Sequence, residues 1–405
     1  MLMMINEMLN PKQQEVWNCF INDKPKVLIA SGAKRAGKTY VFILLFLMHI
    51  ATYKDKGLNF IIGGATQASI RRNILDDMEL ILGRELTLDK SNAVKIFGNK
   101  VYVFDGQNSD AWKKARGFTS AGAFLNEGTA LHNMFIKEVF SRCSYKGARI
   151  LIDTNPENPM HPVKKDYIDK SGQRLSNGRL NIKAFQFTLF DNTFLDEEYI
   201  ESIIASTPTG MFTDRDIYGK WVSAEGVVYK DFKEKVHYIK EEEFKTKQIK
   251  RKYAGVDWGY EHYGSIMVVA EDFDGNKYVI EEHAHRHKEI DDWVAIAKGV
   301  IKRHGDILFY CDTARPEHIE RFRREKIKAR YADKAVIAGI EVISRLFKLN
   351  KIFIIKEKVS LFKEEIYNYV WKDNADEPVK LNDDTLDALR YAVYTANKPS
   401  GTGFN

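Results

Sequence analysis

Two groups of residues, far apart in the chain, have the types and spacing that handle phosphate. The first is the run Gly32-Ala-Lys-Arg-Ala-Gly37-Lys38-Thr39, which fits the pattern G-x-x-x-x-G-K-[ST]. Gly32 and Gly37 let backbone N–H groups wrap phosphate oxygens. Lys38 offers a point charge to the β and γ phosphates, and Thr39 a hydroxyl ligand for magnesium. An apolar strand-like run, 27–30, precedes the motif and a helical run follows from Tyr40, the setting that separates a phosphate loop from a chance Gly-Lys turn. Hydrolysis also needs an acid at the end of a second apolar strand. Residues 121–125 followed by Asn126-Glu127 fit, with Glu127 polarising water and Asn126 standing where many ATPases carry a magnesium-associated Asp. The amide keeps a carbonyl oxygen there but brings no charge. On the plainer reading Glu127 is a helix-capping acid before 131–141. A third strand, 150–153, ends in Thr154-Asn155, whose polar ends would face the same cleft as a γ-phosphate sensor. Upstream, the amide of Gln13 suits the donor–acceptor edge of adenine, although such a glutamine is more often simply solvated.

The second group is acidic. Asp257 follows a strand in Ala254-Gly-Val-Asp257, Asp312 ends the apolar run 307–311, and Asp387 lies on a helix in Asp383-Asp384-Thr-Leu-Asp387. Two strand-end carboxylates plus helix carboxylates are the parts of a two-metal phosphodiesterase. On that helix Asp383 and Asp384 stand four and three residues before Asp387, so either shares its face, while Leu386, Leu389 and Val393 bury the other. Asp384 or Asp383 therefore joins Asp387 at a metal, unless the pair only caps the helix. The alternating His283, His285 and His287 lack a thiolate or clear fourth ligand and read as a solvated strand end. Between Arg315 and Lys334 eight Lys/Arg face four Asp/Glu, which suits either a phosphate-tracking surface or a solvated amphipathic helix.

These side chains require two scaffolds. From 27 to about 221 short β-rich runs alternate with amphipathic stretches, which implies a largely parallel sheet flanked by helices. Residues 225–252 turn polar and lysine-rich. A second alternating series follows, with hairpin signals after Asp257 and at Asp274-Gly275 that suggest a mixed sheet. The expected class is thus α/β in two domains, 1–225 and 251–405, joined by a linker at 226–250. A length of 405 residues agrees, since it exceeds what one core usually organises. The apolar stretch 41–51 is too short to span a bilayer, and the first residues lack a secretory signal pattern. Three widely spaced cysteines, Cys19, Cys143 and Cys311, indicate neither a disulfide framework nor a thiolate metal site, and a reducing cytoplasm fits best. A net charge of +6 permits a polyanionic partner without demanding one.

In their order, SGAKRAGKT, ARGFTSAGAFLNEGTAL, ILIDTNPENPMHPVKKDY, YAGVDWGYEHYGS, CDTARPEHIERFR and NDDTLDALRYA span nearly the whole chain. Together they resemble the large terminase subunit of tailed bacteriophages, particularly the group related to defective-prophage terminases. The resemblance implies an ASCE-type P-loop ATPase that drives double-stranded DNA into a procapsid, and an RNase H-like nuclease that cuts concatemeric genome. It implies ATP and magnesium as cofactors, with manganese as an alternative at the nuclease site. Its implied partners are a small terminase subunit and the portal protein, with a ring oligomer on the portal and a monomer in solution. The place of action is the host bacterial cytoplasm, with transient residence on the procapsid. Carried over, Lys38 and Thr39 bind nucleotide, Glu127 activates water, and Thr154 and Asn155 couple hydrolysis to movement. Arg35 is a candidate arginine finger in cis, with an arginine from a neighbouring subunit as the alternative, and Asp257, Asp312 and Asp387 ligate the nuclease metals. Asp384 replaces a histidine often found in relatives. Three other functions remain to be weighed: a recombination or branched-DNA nuclease with a regulatory ATPase, a helicase-like translocase whose second half only binds DNA, and a capsid-assembly adaptor. The adaptor leaves two catalytic constellations unexplained.

Overall fold

The computed structural model describes residues 8–398; the residues before and after, including those read for a secretory signal and the short Gly/Ser tail, lie outside the described residues. Apolar runs at strand length, separated by amphipathic helices, assemble into two sheets in two compact units. One contains the chain up to Ile204 with Thr213–Ser223, the other Ala205–Phe212 with the chain from Ala224 onward.

The elements of the first unit that matter here are α1 (Pro11–Asn22), β1 (Val27–Gly32), α2 (Lys38–Ala51), β2 (Asn59–Gly64), β3 (Ala93–Ile96), β4 (Asn99–Asp105), β5 (Gly122–Leu125), α3 (Asn133–Arg142), β6 (Arg149–Thr154) and β7 (Ile182–Phe187). The strands run in the order β3-β4-β2-β5-β6-β1-β7. All neighbours are parallel except the β3/β4 pair at one edge. Parallel strands covered on both faces must be apolar throughout, and β1 is buried at every position. Phe42, Phe46, Phe60 and Phe124 fill one face of the sheet, and Ile29, Ile61, Phe135 and Ile152 the other. Strand β6 lies between β1, which leads into the phosphate loop, and β5, which leads to Glu127. That inserted strand is the ASCE arrangement. The register Ile29↔Ile152↔Leu125 brings the three strand ends to one edge.

The second unit contains β8 (Tyr238–Ile239), β9 (Ile249–Asp257), β10 (Gly264–Asp272), β11 (Lys277–His285), α4 (Ile290–His304), β12 (Leu308–Cys311), α5 (Pro316–Arg324), β13 (Ala329–Tyr331), α6 (Val336–Lys348), β14 (Ile352–Ile355), α7 (Phe362–Asn368) and α8 (Asp384–Ala396). Its sheet order is β13-β12-β9-β10-β11-β14-β8. Strands β9, β10 and β11 form an antiparallel meander, and β12 and β13 join parallel to β9, an RNase H-like mixed sheet. The turn between β10 and β11 is held by Asp272, whose Oδ1 accepts from the N–H groups of Asp274 and Asn276.

Residues 226–250, expected as a linker, fold instead with the second unit. They supply β8, which pairs with β14, and the buried His237, whose ring bonds the Phe347 carbonyl at 3.1 Å. Their lysine-rich composition reflects exposed faces of short elements rather than a free connection. In the histidine run His285 and His287 are exposed, as a solvated strand end should be, while His283 places Nε2 2.6 Å from a carboxylate oxygen of Glu281, which His304 and Arg303 also pair. In the basic run, Arg321 and Arg323 pair within the unit with Asp291 and Glu320, so those charges serve the helix surface.

The last helix approaches its strand through a glycine. A Cβ on Gly255 of β9 would stand 1.8 Å from the Ala388 carbonyl oxygen on α8. Gly255→Ala should therefore push α8 off the sheet at a cost of about 1–3 kcal/mol, as overpacking does. Thermal melting would register the loss, and an unchanged melting point would mean that the helix seats differently.

Candidate functional site

In the first unit the loop from Gly32 to Gly37 leaves β1 and turns through Gly37 at φ 84°, a left-handed conformation that disfavours a side chain, before α2 begins at Lys38. Lys38 is buried and donates to the carbonyls of Gly32 (2.8 Å) and Ala33 (2.5 Å) and to Asn155 Oδ1 (3.1 Å). Burial lowers its ammonium from 10.5 to about 8, with Asp153 opposing that shift. A cavity of about 630 Å³, a volume suited to a cofactor, is lined by Arg35, Gly37, Lys38, Thr39, Asn126, Glu127, Thr154 and Asn155 among others.

Glu127 follows β5 with φ 54°, a conformation uncommon for a non-glycine residue and concentrated at functional sites. Its side chain makes no capping hydrogen bond to the turn that follows, and the helix Asn133–Arg142 is capped by His132, so the plainer reading as a helix cap fails. Burial raises its carboxyl above the usual range, helped by nearby Asp153 and opposed by Lys38 and Arg72. Thr154 reaches the loop after Glu127, with its hydroxyl 3.1 Å from Thr129 Oγ1 and accepting from Thr129 N–H at 3.1 Å. The sensor candidates therefore divide their contacts, Asn155 touching Lys38 and Thr154 touching the segment beyond the acid.

Gln13 packs against the loop. It is buried, its Oε1 accepts from Asn10 N–H at 3.0 Å, and its Nε2 donates to the Gly37 carbonyl at 2.8 Å. One N–H and one lone pair of the amide remain beyond these two bonds. Arg35 lines the cavity with its guanidinium 5.9 Å from the Tyr199 ring centroid. Its carbonyl accepts from Asn192 Nδ2 at 2.7 Å.

Sequence reading missed Asp153. It lies on β6 beside Asn126, is only 2% exposed, and accepts from the Thr39 hydroxyl, from Asn126 Nδ2 (2.9 and 3.1 Å) and from Glu127 N–H (2.9 Å). The signal was present: an acid as the next-to-last residue of an otherwise apolar buried strand, where isolated charge is expensive.

In the second unit the parallel register Cys311↔Val256 carries Asp312 to the strand end beside Asp257, and Asp312 N–H donates to the Val256 carbonyl at 2.9 Å. Helix α8 brings Asp384 and Asp387 to the same end. Asp257 is held well above the usual carboxylate range by burial, then by the charges of Asp387, Asp312, Asp384 and Asp383. Asp383 rises to about 6 by burial, then by Asp387 and Asp384. Cations of the chain already serve two of the acids: Lys334 Nζ lies 2.6 Å from Asp312, and the buried Arg390 lies 2.8 Å from Asp387.

Asp383 occupies the N-cap position of α8 but its side chain caps nothing. That task falls to Glu365 on α7, whose Oε2 accepts from Thr385 N–H at 2.8 Å and from its hydroxyl. Ser265 on β10 donates to the Asp384 carbonyl at 2.6 Å, tying the helix start to the strand opposite Asp257. Among the described residues no three His, Cys, Asp or Glu side chains already stand in metal-holding geometry. The donor set nevertheless consists of hard carboxylate oxygens whose mutual repulsion a divalent cation would relieve.

A family model described as terminase large subunit, T4likevirus-type, N-terminal, matches residues 29–236. No curated protein sequence matches. The fold resembles the large terminase of a thermophilic bacteriophage in complex with ADP at 25% identity and a TM-score of 0.78, covering 96% of this chain and 99% of that one. A second crystal form of the same phage protein gives a TM-score of 0.80 at 25% identity, with 95% and 98% covered. The family match takes in the phosphate loop, Glu127 and Asp153, and the likeness to the thermophilic phage protein runs through both units: the chain belongs to the terminase large subunit family.

Proposed function

We propose that the chain hydrolyses ATP in its first unit to drive double-stranded viral DNA into a procapsid, and cuts concatemeric DNA in its second with divalent metal. The observation that carries the reading is the pairing, in one terminase-family chain, of the Lys38–Glu127 cavity with the Asp257–Asp312–Asp387 cluster. The thermophilic phage protein's complexes with ADP and ATP-γ-S support a nucleotide in the first unit.

Lys38 and the loop N–H groups hold the β and γ phosphates, Thr39 would hold magnesium, and Glu127 orients the attacking water and takes its proton. A carboxyl raised by burial is a better base once the site is occupied. Asn155, on Lys38, and Thr154, on the loop beyond Glu127, connect the phosphate side of the cavity to the rest of the unit. In the second unit Asp257, Asp312, Asp387 and Asp384 would hold magnesium or manganese, which supply a Lewis acid for phosphodiester hydrolysis. The protein's own part there is to hold four carboxylates on a rigid strand edge and helix. On this reading the chain works with a small terminase subunit, the portal protein and a ring of its own copies, in the host cytoplasm. No helix of the described residues is long and apolar enough to cross a membrane.

ATP turnover and plasmid cleavage by the full chain, with magnesium, with manganese and with EDTA, test the assignment. Both activities should require metal, and DNA cleavage should weaken as salt rises, because contacts to phosphate release counterions. Cleavage that persists in EDTA would remove the nuclease assignment. A preference for branched over linear duplex DNA would favour a recombination nuclease instead.

The Lys38 ammonium sets a pH dependence. Its value near 8 means that above this pH the free site is neutral there, whereas bound phosphate needs the charge. Binding then takes up a proton, so nucleotide affinity should be level below pH 8 and fall by up to about tenfold per unit above it. Titration of a fluorescent ATP analogue from pH 6.5 to 9.5, taken as roughly the window flanking that value, checks this. A flat profile would mean that Lys38 stays charged without nucleotide.

A further inference from the structure

At the end of β5 the side chain that a P-loop ATPase uses to place negative charge near its magnesium is the neutral Asn126. The charge is nonetheless within reach, one strand away. Asp153 on β6 lies beside Asn126 by register and is joined to it by two contacts, Asn126 Nδ2 to Oδ1 at 2.9 Å and to Oδ2 at 3.1 Å. Burial raises the Asp153 carboxyl, opposed by hydrogen bonds from Thr39, Glu127 N–H and Asn126 and by the Lys38 charge; in its ionised form it only accepts, so the amide turns its NH₂ toward it. The Asn126 carbonyl oxygen then faces Asn73, whose Nδ2 donates to it at 3.2 Å. The same carboxylate accepts from the hydroxyl of Thr39 and from the N–H of Glu127. One buried acid thus fixes the magnesium-ligand candidate, the catalytic acid's backbone and the neutral residue between them.

Resting on the ATPase reading above, we propose that Asp153 is the positioning acid of the nucleotide-associated magnesium, acting through Thr39, and that Asn126 and Asp153 have exchanged the charged and neutral roles across β5 and β6. The charge sits on the neighbouring strand, and Asn126 is kept as the amide that can donate to it. Were both residues acids, two carboxylates would meet in a buried site and one would take up a proton, leaving a single charge shared between them. Were both amides, the site would hold no fixed negative charge behind Thr39.

The exchange predicts a reciprocal rescue, because Asp and Asn have nearly the same shape. In the full chain, binding of a fluorescent ATP analogue is measured in EDTA and across a magnesium titration, and manganese binding to the nucleotide complex is followed by electron paramagnetic resonance. Asp153→Asn should weaken cation affinity by about 10–100-fold beyond any change in nucleotide binding measured in EDTA, the scale on which outer-shell partners act. Asn126→Asp combined with Asp153→Asn should recover a large part of that loss. An Asp153→Asn protein with wild-type cation affinity, or a folded double variant no better than the single one, overturns the proposal. Thermal melting accompanies each measurement; if both variants unfold, the charge serves the fold and the proposal also fails. The wild-type arm separates the two levels of the argument, since absence of nucleotide binding there would sink the ATPase reading itself.

Discussion

Asp257→Asn should reduce metal-dependent DNA cleavage to below about 1% of wild type, a loss on the order seen when one group aligned with developing charge is removed. The substitution keeps the side chain's shape and takes away one negative charge from a cluster in which Asp257 is crowded by Asp387, Asp312 and Asp384. A carboxamide oxygen competes poorly with water for a divalent cation, so occupancy falls. Folding should be unharmed or improved, because the charge being removed is repelled by its neighbours. ATP turnover should stay within about twofold of wild type, since the acids lie in a unit with its own sheet and core. Cleavage and ATPase assays on one preparation check both halves of this expectation. Asp387→Asn should behave alike, with an added structural effect from the buried Arg390 that loses its partner.

Glu127→Gln should lower ATP turnover by about 10²–10⁴-fold, the range for loss of a general base, while nucleotide affinity changes little. The binding contacts belong to Lys38, Thr39 and the loop, whereas Glu127 contributes a proton acceptor that an amide lacks. Its strained φ of 54° is held by the Glu127 N–H bond to Asp153, a backbone contact the substitution leaves in place. Equilibrium binding of ATP-γ-S together with steady-state phosphate release distinguishes the two effects. Loss of binding rather than turnover would show that Glu127 holds the fold of the cavity.

Much of this architecture could be read in advance, for reasons that differ by element. Phosphate loops announce themselves locally, because Gly32, Gly37, Lys38 and Thr39 act through backbone geometry and charge within eight consecutive residues. Strand-end acids such as Asp257 and Asp312 were legible because a charge closing an apolar run is rare without a use. Asp153 fits the same description and was still passed over, since its importance depends on β6 lying between β1 and β5, a fact of sheet order. The position of Gln13 is legible only in part for a related reason: the capping box it forms with Asn10 is local, but its second bond, to Gly37, spans 24 residues. Asp383 and Asp384 read as metal ligands with capping as the alternative, and the cap comes from Glu365, 20 residues away on another helix. Residues 226–250 misled through composition, because short elements with one buried side, such as that of His237, leave a lysine-rich surface.

The central claim is that one chain carries two chemistries with separate residues. Its most direct test is to assay plasmid cleavage and ATP turnover side by side in Glu127→Gln and Asp257→Asn proteins under magnesium. The account predicts complementary losses: the first variant cuts DNA and barely hydrolyses ATP, the second hydrolyses ATP and barely cuts. Loss of both activities in either folded variant would contradict it.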